Sequence, residues 1–205
     1  AYSTAKDDEK LKDIILNLYK FSMSGPWPES WLIEKAEEFN INTLEELDKT
    51  KWVEILKDNI RVEVEGFINM YHKAIEIISD TEGLEAYLDT FRGDLECLEN
   101  VYESLNYGLS EIYAALNGVV FTKLKTVRKS AVSDENAQGT VKSIRDTVKK
   151  KVKSLIEDSF TFTPEESLQG IKDVYPYMKE LSRITLDFLD KFNEKKREKN
   201  LLDFN

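Results

Sequence analysis

The chain is poor in the residues that build most kinds of chemistry: one cysteine, one histidine, four prolines and eight glycines among 205 residues. Each scarcity excludes something. Cys97 alone cannot form an internal disulfide, so a reducing, cytoplasmic compartment is expected. His72 and Cys97 are too few for a structural zinc site, and a di-iron bundle would need paired Glu-x-x-His motifs that are absent. No Gly-x-x-x-x-Gly-Lys phosphate loop occurs, which disfavours nucleotide binding by this chain. No run of about 20 apolar residues is present, so no membrane span and no membrane partner are expected. The polar start, residues 1–10, has no secretory core. The first residue is Ala1 and not methionine, which fits a piece of something longer.

What is present points to helices. Hydrophobic residues make up 41% of the chain, enough for a real core, and breakers are sparse. The net charge of −10 argues against a generic nucleic-acid binder, but it averages two unlike regions. Residues 119–155 carry ten basic residues against three acidic ones (Asp134, Glu135, Asp146), so this segment is +7 and the remainder −17. That asymmetry is the strongest clue that composition offers.

Periodicity predicts helices over residues 7–24, 28–40, 43–48, 50–79, 84–105, 107–116, 137–158 and 164–199. Val53, Leu56, Ile60, Phe67, Met70, Ala74 and Ile77 fit a heptad seam with Glu63 as misfit, and Leu84, Leu88, Phe91, Leu95, Leu98, Tyr102 and Leu105 fit another. The short break at Thr81-Glu82-Gly83 between them implies an antiparallel pair. Thr163-Pro164-Glu165-Glu166 is a strong helix start, and Pro176 should kink or restart the last helix near Tyr175. The fold class is all-α: one bundle of long antiparallel, partly coiled-coil-like helices with short helical connections, spanning 1–205 as a single subdomain. Residues 119–136 form an irregular basic linker inside it.

Candidate chemistry is thin. Cys97 lies beside a seam and reads as packing, and His72 as a solvated or capping residue. Trp27 and Trp31 flank the Pro28 helix start and read as a staple to the preceding helix, with base stacking as the alternative. The basic residues differ. Lys142, Arg145, Lys149 and Lys153 recur at spacings of three, four and four, so they share one side of a helix that borders its apolar face (Val141, Ile144, Val148, Val152, Leu155). Their stems would cover the seam, or their charges would meet phosphates. Lys150 joins them, and Lys123, Lys125, Arg128 and Lys129 form a second cluster in the linker.

Residues 8–21, then Gly25-Pro26-Trp27-Pro28-Glu29-Ser30-Trp31-Leu32, Ser143-Ile144-Arg145-Asp146-Thr147-Val148-Lys149-Lys150 and the ending 196–205 resemble the AddA family, the helicase–nuclease subunits of bacterial AddAB. The resemblance implies the helical 1B insertion of a UvrD/RecB-like motor, with double-stranded DNA near the fork, the AddB protein and the flanking motor domains as partners. It implies a bacterial cytoplasmic location and a role in double-strand break repair by homologous recombination. ATP and Mg²⁺ would belong to the parent enzyme, an ATP-dependent 3′–5′ helicase and exonuclease, and no catalytic residue carries over to this chain. Two readings stand: a DNA-positioning accessory subdomain, or a free-standing helical module that grips a protein without touching DNA.

Overall fold

The computed structural model describes residues 7–200. Among them the chain forms α1 (Asp7–Ser22), α2 (Pro28–Glu37), α3 (Leu44–Asp48), α4 (Lys51–Asp80), α5 (Leu88–Ser104), α6 (Leu109–Asn117), α7 (Glu135–Ser159) and α8 (Pro164–Glu198). Two single 3₁₀ turns, Glu85–Tyr87 and Lys129–Ala131, complete the regular structure, and no strand occurs among the described residues. The fold is all-α. Where the sequence reads as one subdomain, the contacts divide into two compact units: a terminal unit, Ala1–Asn42 with Leu168–Asn205, and a central unit, Thr43–Ser167.

In the central unit α4 packs on both α5 and α7. Tyr71 and Glu65 of α4 bond Asp94 and Tyr102 of α5, pairings that run in opposite chain directions and mark the two helices as antiparallel. From the Glu85–Tyr87 turn into α5 the direction is the same as in α7: Tyr87 meets Gln138 and Asp94 of α5 meets Arg145, both 51 residues apart. The α4 seam is Ile60, Val64, Phe67, Tyr71, Ala74 and Ile78. This removes the Glu63 misfit, because the stripe runs one residue later than Met70 and Ile77 would place it. Phe91, Leu95, Leu98 and Val101 of α5 and Val141, Val148 and Val152 of α7 close the core. Full burial of such side chains contributes roughly 1.5–3 kcal/mol each, so this unit carries its own hydrophobic stabilisation.

Helix ends follow local chemistry. Asp134 caps α7 by accepting from the Asn136 and Ala137 amides at 2.8 and 3.3 Å, which starts the helix at Glu135, two residues before the periodicity does. Thr163 and Glu166 bond each other's amides at the expected start of α8, forming a capping box. Pro176 does not restart that helix, which runs unbroken from Pro164 to Glu198.

In the terminal unit α2 lies antiparallel to α8. Ser182 Oγ donates to the Leu32 carbonyl at 2.9 Å, and Tyr175 OH donates to the Glu37 carboxylate at 2.9–3.0 Å. Tyr19 of α1 meets Phe188 and Phe192 edge-on at 5.3 and 5.6 Å. Trp31 packs on Phe21 at 5.3 Å, the expected staple, whereas Trp27 is 75% exposed.

Candidate nucleic-acid interface

Between α6 and α7 the chain runs as a strap over the central unit. Val119, Phe121, Leu124, Val127 and Val132 are partly buried against the core. Lys123, Lys125 and Arg128, which fall between them, are exposed. The segment is thus irregular but not loose: most of its large apolar residues pack on the core, while Val120 and the described cations are exposed. Of Lys129 only the backbone, in the second 3₁₀ turn, falls within what the structure describes.

Polar clips hold the strap. Gln138 Nε2 donates to the Val127 carbonyl and to Tyr87 OH, each at 3.2 Å, and the Ser133 amide donates to the Glu82 carbonyl at 3.1 Å. At Gly83, where φ is +91°, an added Cβ would lie 2.0 Å from the Ala131 carbonyl oxygen, so only glycine lets the strap pass. The strongest clip is Arg145. Its Nε donates to Asp94 Oδ2 at 2.6 Å, and Nη2 donates to Asp94 Oδ1 at 3.3 Å and to the Thr122 carbonyl at 2.6 Å. Tyr71 OH donates to the same Asp94 carboxylate at 3.0 Å. Because Arg145 meets Thr122 while Gln138 meets Val127, the strap runs antiparallel to α7, beside its basic residues.

Arg145 therefore leaves the set of expected phosphate contacts. Its side chain is 10% exposed and that of Asp94 2%. Pulling the guanidinium away would strand a buried carboxylate at about 3–5 kcal/mol, whereas an exposed ion pair returns roughly 0.2–1 kcal/mol. Burial disfavours the Arg145 charge, but Asp94 outweighs it and the net shift is upward. Burial, with Asp94 beside it, pushes the Tyr71 hydroxyl far above its usual range. In sequence terms Gln138, Val141, Arg145, Val148 and Val152 are the α7 seam, spaced three, four, three and four, so Arg145 occupies a core position. Nothing in the sequence singles out Asp94 beyond its place three residues after Phe91.

The other described candidates face outward. Lys142, Lys149, Lys150 and Lys153 are exposed on α7. Lys149, Lys150 and Lys153 line one groove, while Lys142 lies over the Tyr87 ring at 5.9 Å. Lys125 sits 3.6 Å from Asp89, and Lys153 sits 3.7 Å from Glu157, both in water. Among the described residues Lys123, Arg128, Lys142, Lys149 and Lys150 have no carboxylate within 4.0 Å. Several cations elsewhere are answered by an acid of their own helix, as in Lys51–Glu54, Arg61–Asp58 and Arg183–Glu180. The strap and α7 thus present clustered, unneutralised positive charge in a chain of net charge −10.

His72 is exposed and Cys97 half-buried. No group of three or more His, Cys, Asp or Glu among the described residues is placed to hold a metal ion. No Gly-x-x-x-x-Gly-Lys phosphate loop occurs in the sequence. No described helix is long and apolar enough to cross a membrane.

No protein-family model matches the chain. Curated relatives do. The chain is 48% identical over 205 residues to the AddA protein, an ATP-dependent helicase/nuclease component, of Clostridium botulinum (strain Alaska E43 / Type E3). It is 45% identical over 204 residues to the same component in Clostridium beijerinckii and 43% over 205 to that in Clostridium perfringens (strain SM101 / Type A). From end to end the chain matches AddA. The match takes in 100% of the chain but 16% of each relative, so the chain spans only a small part of the length of the curated relatives it matches. The Leu201–Asn205 ending that contributes to the resemblance lies outside the described residues.

Proposed function

We propose that this chain is an accessory subdomain of a longer ATP-dependent helicase/nuclease polypeptide, and that it positions duplex DNA by its phosphates near the point of unwinding. The observation that carries the reading is the outward face of the strap and α7. There Lys123, Arg128, Lys142, Lys149 and Lys150 are exposed without an acidic partner, while the apolar halves of the same segments are anchored in the core. Phosphate contacts need charge on a fixed scaffold and no base readout. Chemistry, with ATP and Mg²⁺, belongs to the rest of that polypeptide, which acts with an AddB-type partner in the bacterial cytoplasm on broken DNA ends during recombinational repair. The motor domains of the same polypeptide are the neighbours of this chain.

The test is duplex binding by the 205-residue chain as a function of salt, against a variant with Lys142, Lys149, Lys150 and Lys153 changed to Glu. The wild-type chain is expected to bind with a steep salt dependence, and the variant to melt near the wild type but lose most of its affinity. Arg145 is left out because its reversal would place two carboxylates together in the core. Equal binding by the two proteins, or no salt-dependent binding by either, would remove DNA from the account. A purely protein-gripping module would then be the better reading, favoured by Phe21, Trp27 and Tyr177, which the terminal unit leaves 64%, 75% and 76% exposed.

A further inference from the structure

Where the strap meets the C-terminal half of α7, Val119, Phe121, Val152 and Ile156 line an open groove of about 540 Å³. Lys149, Lys150 and Lys153 belong to the same lining, with Asp146 as its one acid. A straight duplex backbone has no use for apolar walls, since phosphates ask only for charge and donors. Apolar walls with a cationic rim suit a flat apolar group carried on an anionic chain.

We propose that this groove takes one unpaired nucleobase at a duplex end, with the Phe121 ring as its stacking surface and Lys149, Lys150 and Lys153 on the flanking phosphates; the inference rests on the DNA reading above. The volume falls in the range of small-molecule sites, which leaves room for a base and its sugar. Phe121 is already held in place. The guanidinium carbon of Arg145 lies 5.8 Å from its ring centroid, and Arg145 is itself fixed by Asp94 and the Thr122 carbonyl. A ring ordered before binding loses little freedom on stacking. Stacking on an aromatic side chain tolerates any base, so the groove would register an unpaired end and not a sequence. Asp146 lies one turn before Lys149 and Lys150 and repels phosphate, so the strand is directed toward the Lys150 and Lys153 end.

The experiment compares two duplexes of equal paired length, one blunt and one with two unpaired nucleotides carrying 2-aminopurine. The 205-residue chain should bind the second about ten-fold more tightly, the scale expected of one stacked base. It should also change 2-aminopurine fluorescence at the unpaired position and not at a paired interior one. Phe121→Leu, which keeps an apolar side chain against the core, should bring the two duplexes to equal affinity and abolish the fluorescence change. If that variant does not fold, the position-dependent fluorescence of the wild-type chain decides alone. Equal affinity for both duplexes with no fluorescence change, while salt-dependent binding persists, would overturn the groove and leave the phosphate face standing. Absence of salt-dependent binding to either duplex would overturn both. Tight binding of an acidic, phenylalanine-containing peptide with no preference between the duplexes would assign the groove to a protein ligand and overturn the proposal.

Discussion

The two units solve the same problem unequally. The central unit encloses a continuous core of large side chains, Tyr71, Tyr87, Phe67 and Phe91 among them, each at most 1% exposed. No buried side-chain nitrogen or oxygen among the described residues lacks a hydrogen-bond partner. The terminal unit buries little beyond Leu32, Ala36, Ile41 and Leu189, with Ser22, Ser182 and Thr185 between them, and leaves Phe21, Trp27 and Tyr177 mostly in water. Burial scales with stabilisation, so the central unit is the self-sufficient scaffold and the terminal unit the adaptable one. The clustered exposed lysines of the strap and α7 belong to the well-packed unit, where contact geometry can be held.

Mutations can break or sharpen that contrast. The largest effect is expected at the buried ion pair. Asp94→Ala leaves the Arg145 guanidinium without its carboxylate and should cost about 3–5 kcal/mol in urea unfolding of the central unit. Adding Arg145→Ala to it should cost less than the two single changes summed, because the partners share one interaction. Next comes Gly83→Ala. Its Cβ meets the Ala131 carbonyl and its φ is +91°, so a loss of about 2–3 kcal/mol and faster proteolysis within residues 119–134 are expected.

Tyr71→Phe should cost about 1 kcal/mol at neutral pH by removing one donor to Asp94. It should also change the alkaline limb. Burial raises the folded-state pKa of Tyr71 above its ordinary value of 10.0, so above that pH the unfolded chain releases the proton and the folded chain keeps it. Stability therefore falls as pH climbs past about 10, and the variant should fall less steeply. The smallest effect belongs to the terminal unit: Trp27→Ala should stay within about 0.5 kcal/mol of the wild type, because the ring is already in water. A loss there comparable to Asp94→Ala would undo the contrast.

Much of the fold was legible because heptad spacing reports helices and their faces directly. The α4–α5 hairpin follows from two seams and a short Gly-containing break. Register was less legible. An apolar stripe of Met70 and Ile77 competes with one of Tyr71 and Ile78, and only the partner helices choose between them. The same limit hid the site. Arg145 belongs equally to a basic side with Lys142 and Lys149 and to a seam with Val141 and Val148, and pattern favours the first because charge is rarely buried. Only Asp94, brought to it from 51 residues away, makes the second reading physical. The strap was hidden for a related reason. Val119, Phe121, Leu124 and Val127 recur at spacings that fit neither helix nor strand, yet they suffice for a segment clipped by side chains and not by a ladder.

The central claim is that the lysines on α7 face phosphate while Arg145 faces the core. The most direct measurement is the slope of log binding constant against log salt concentration for a long duplex, in the wild-type chain and in Lys149→Ala with Lys150→Ala. Each phosphate-contacting lysine contributes about 0.9 to that slope, so the double variant should be shallower by about 1.8 with an unchanged melting temperature. An identical slope in the two proteins would contradict the account.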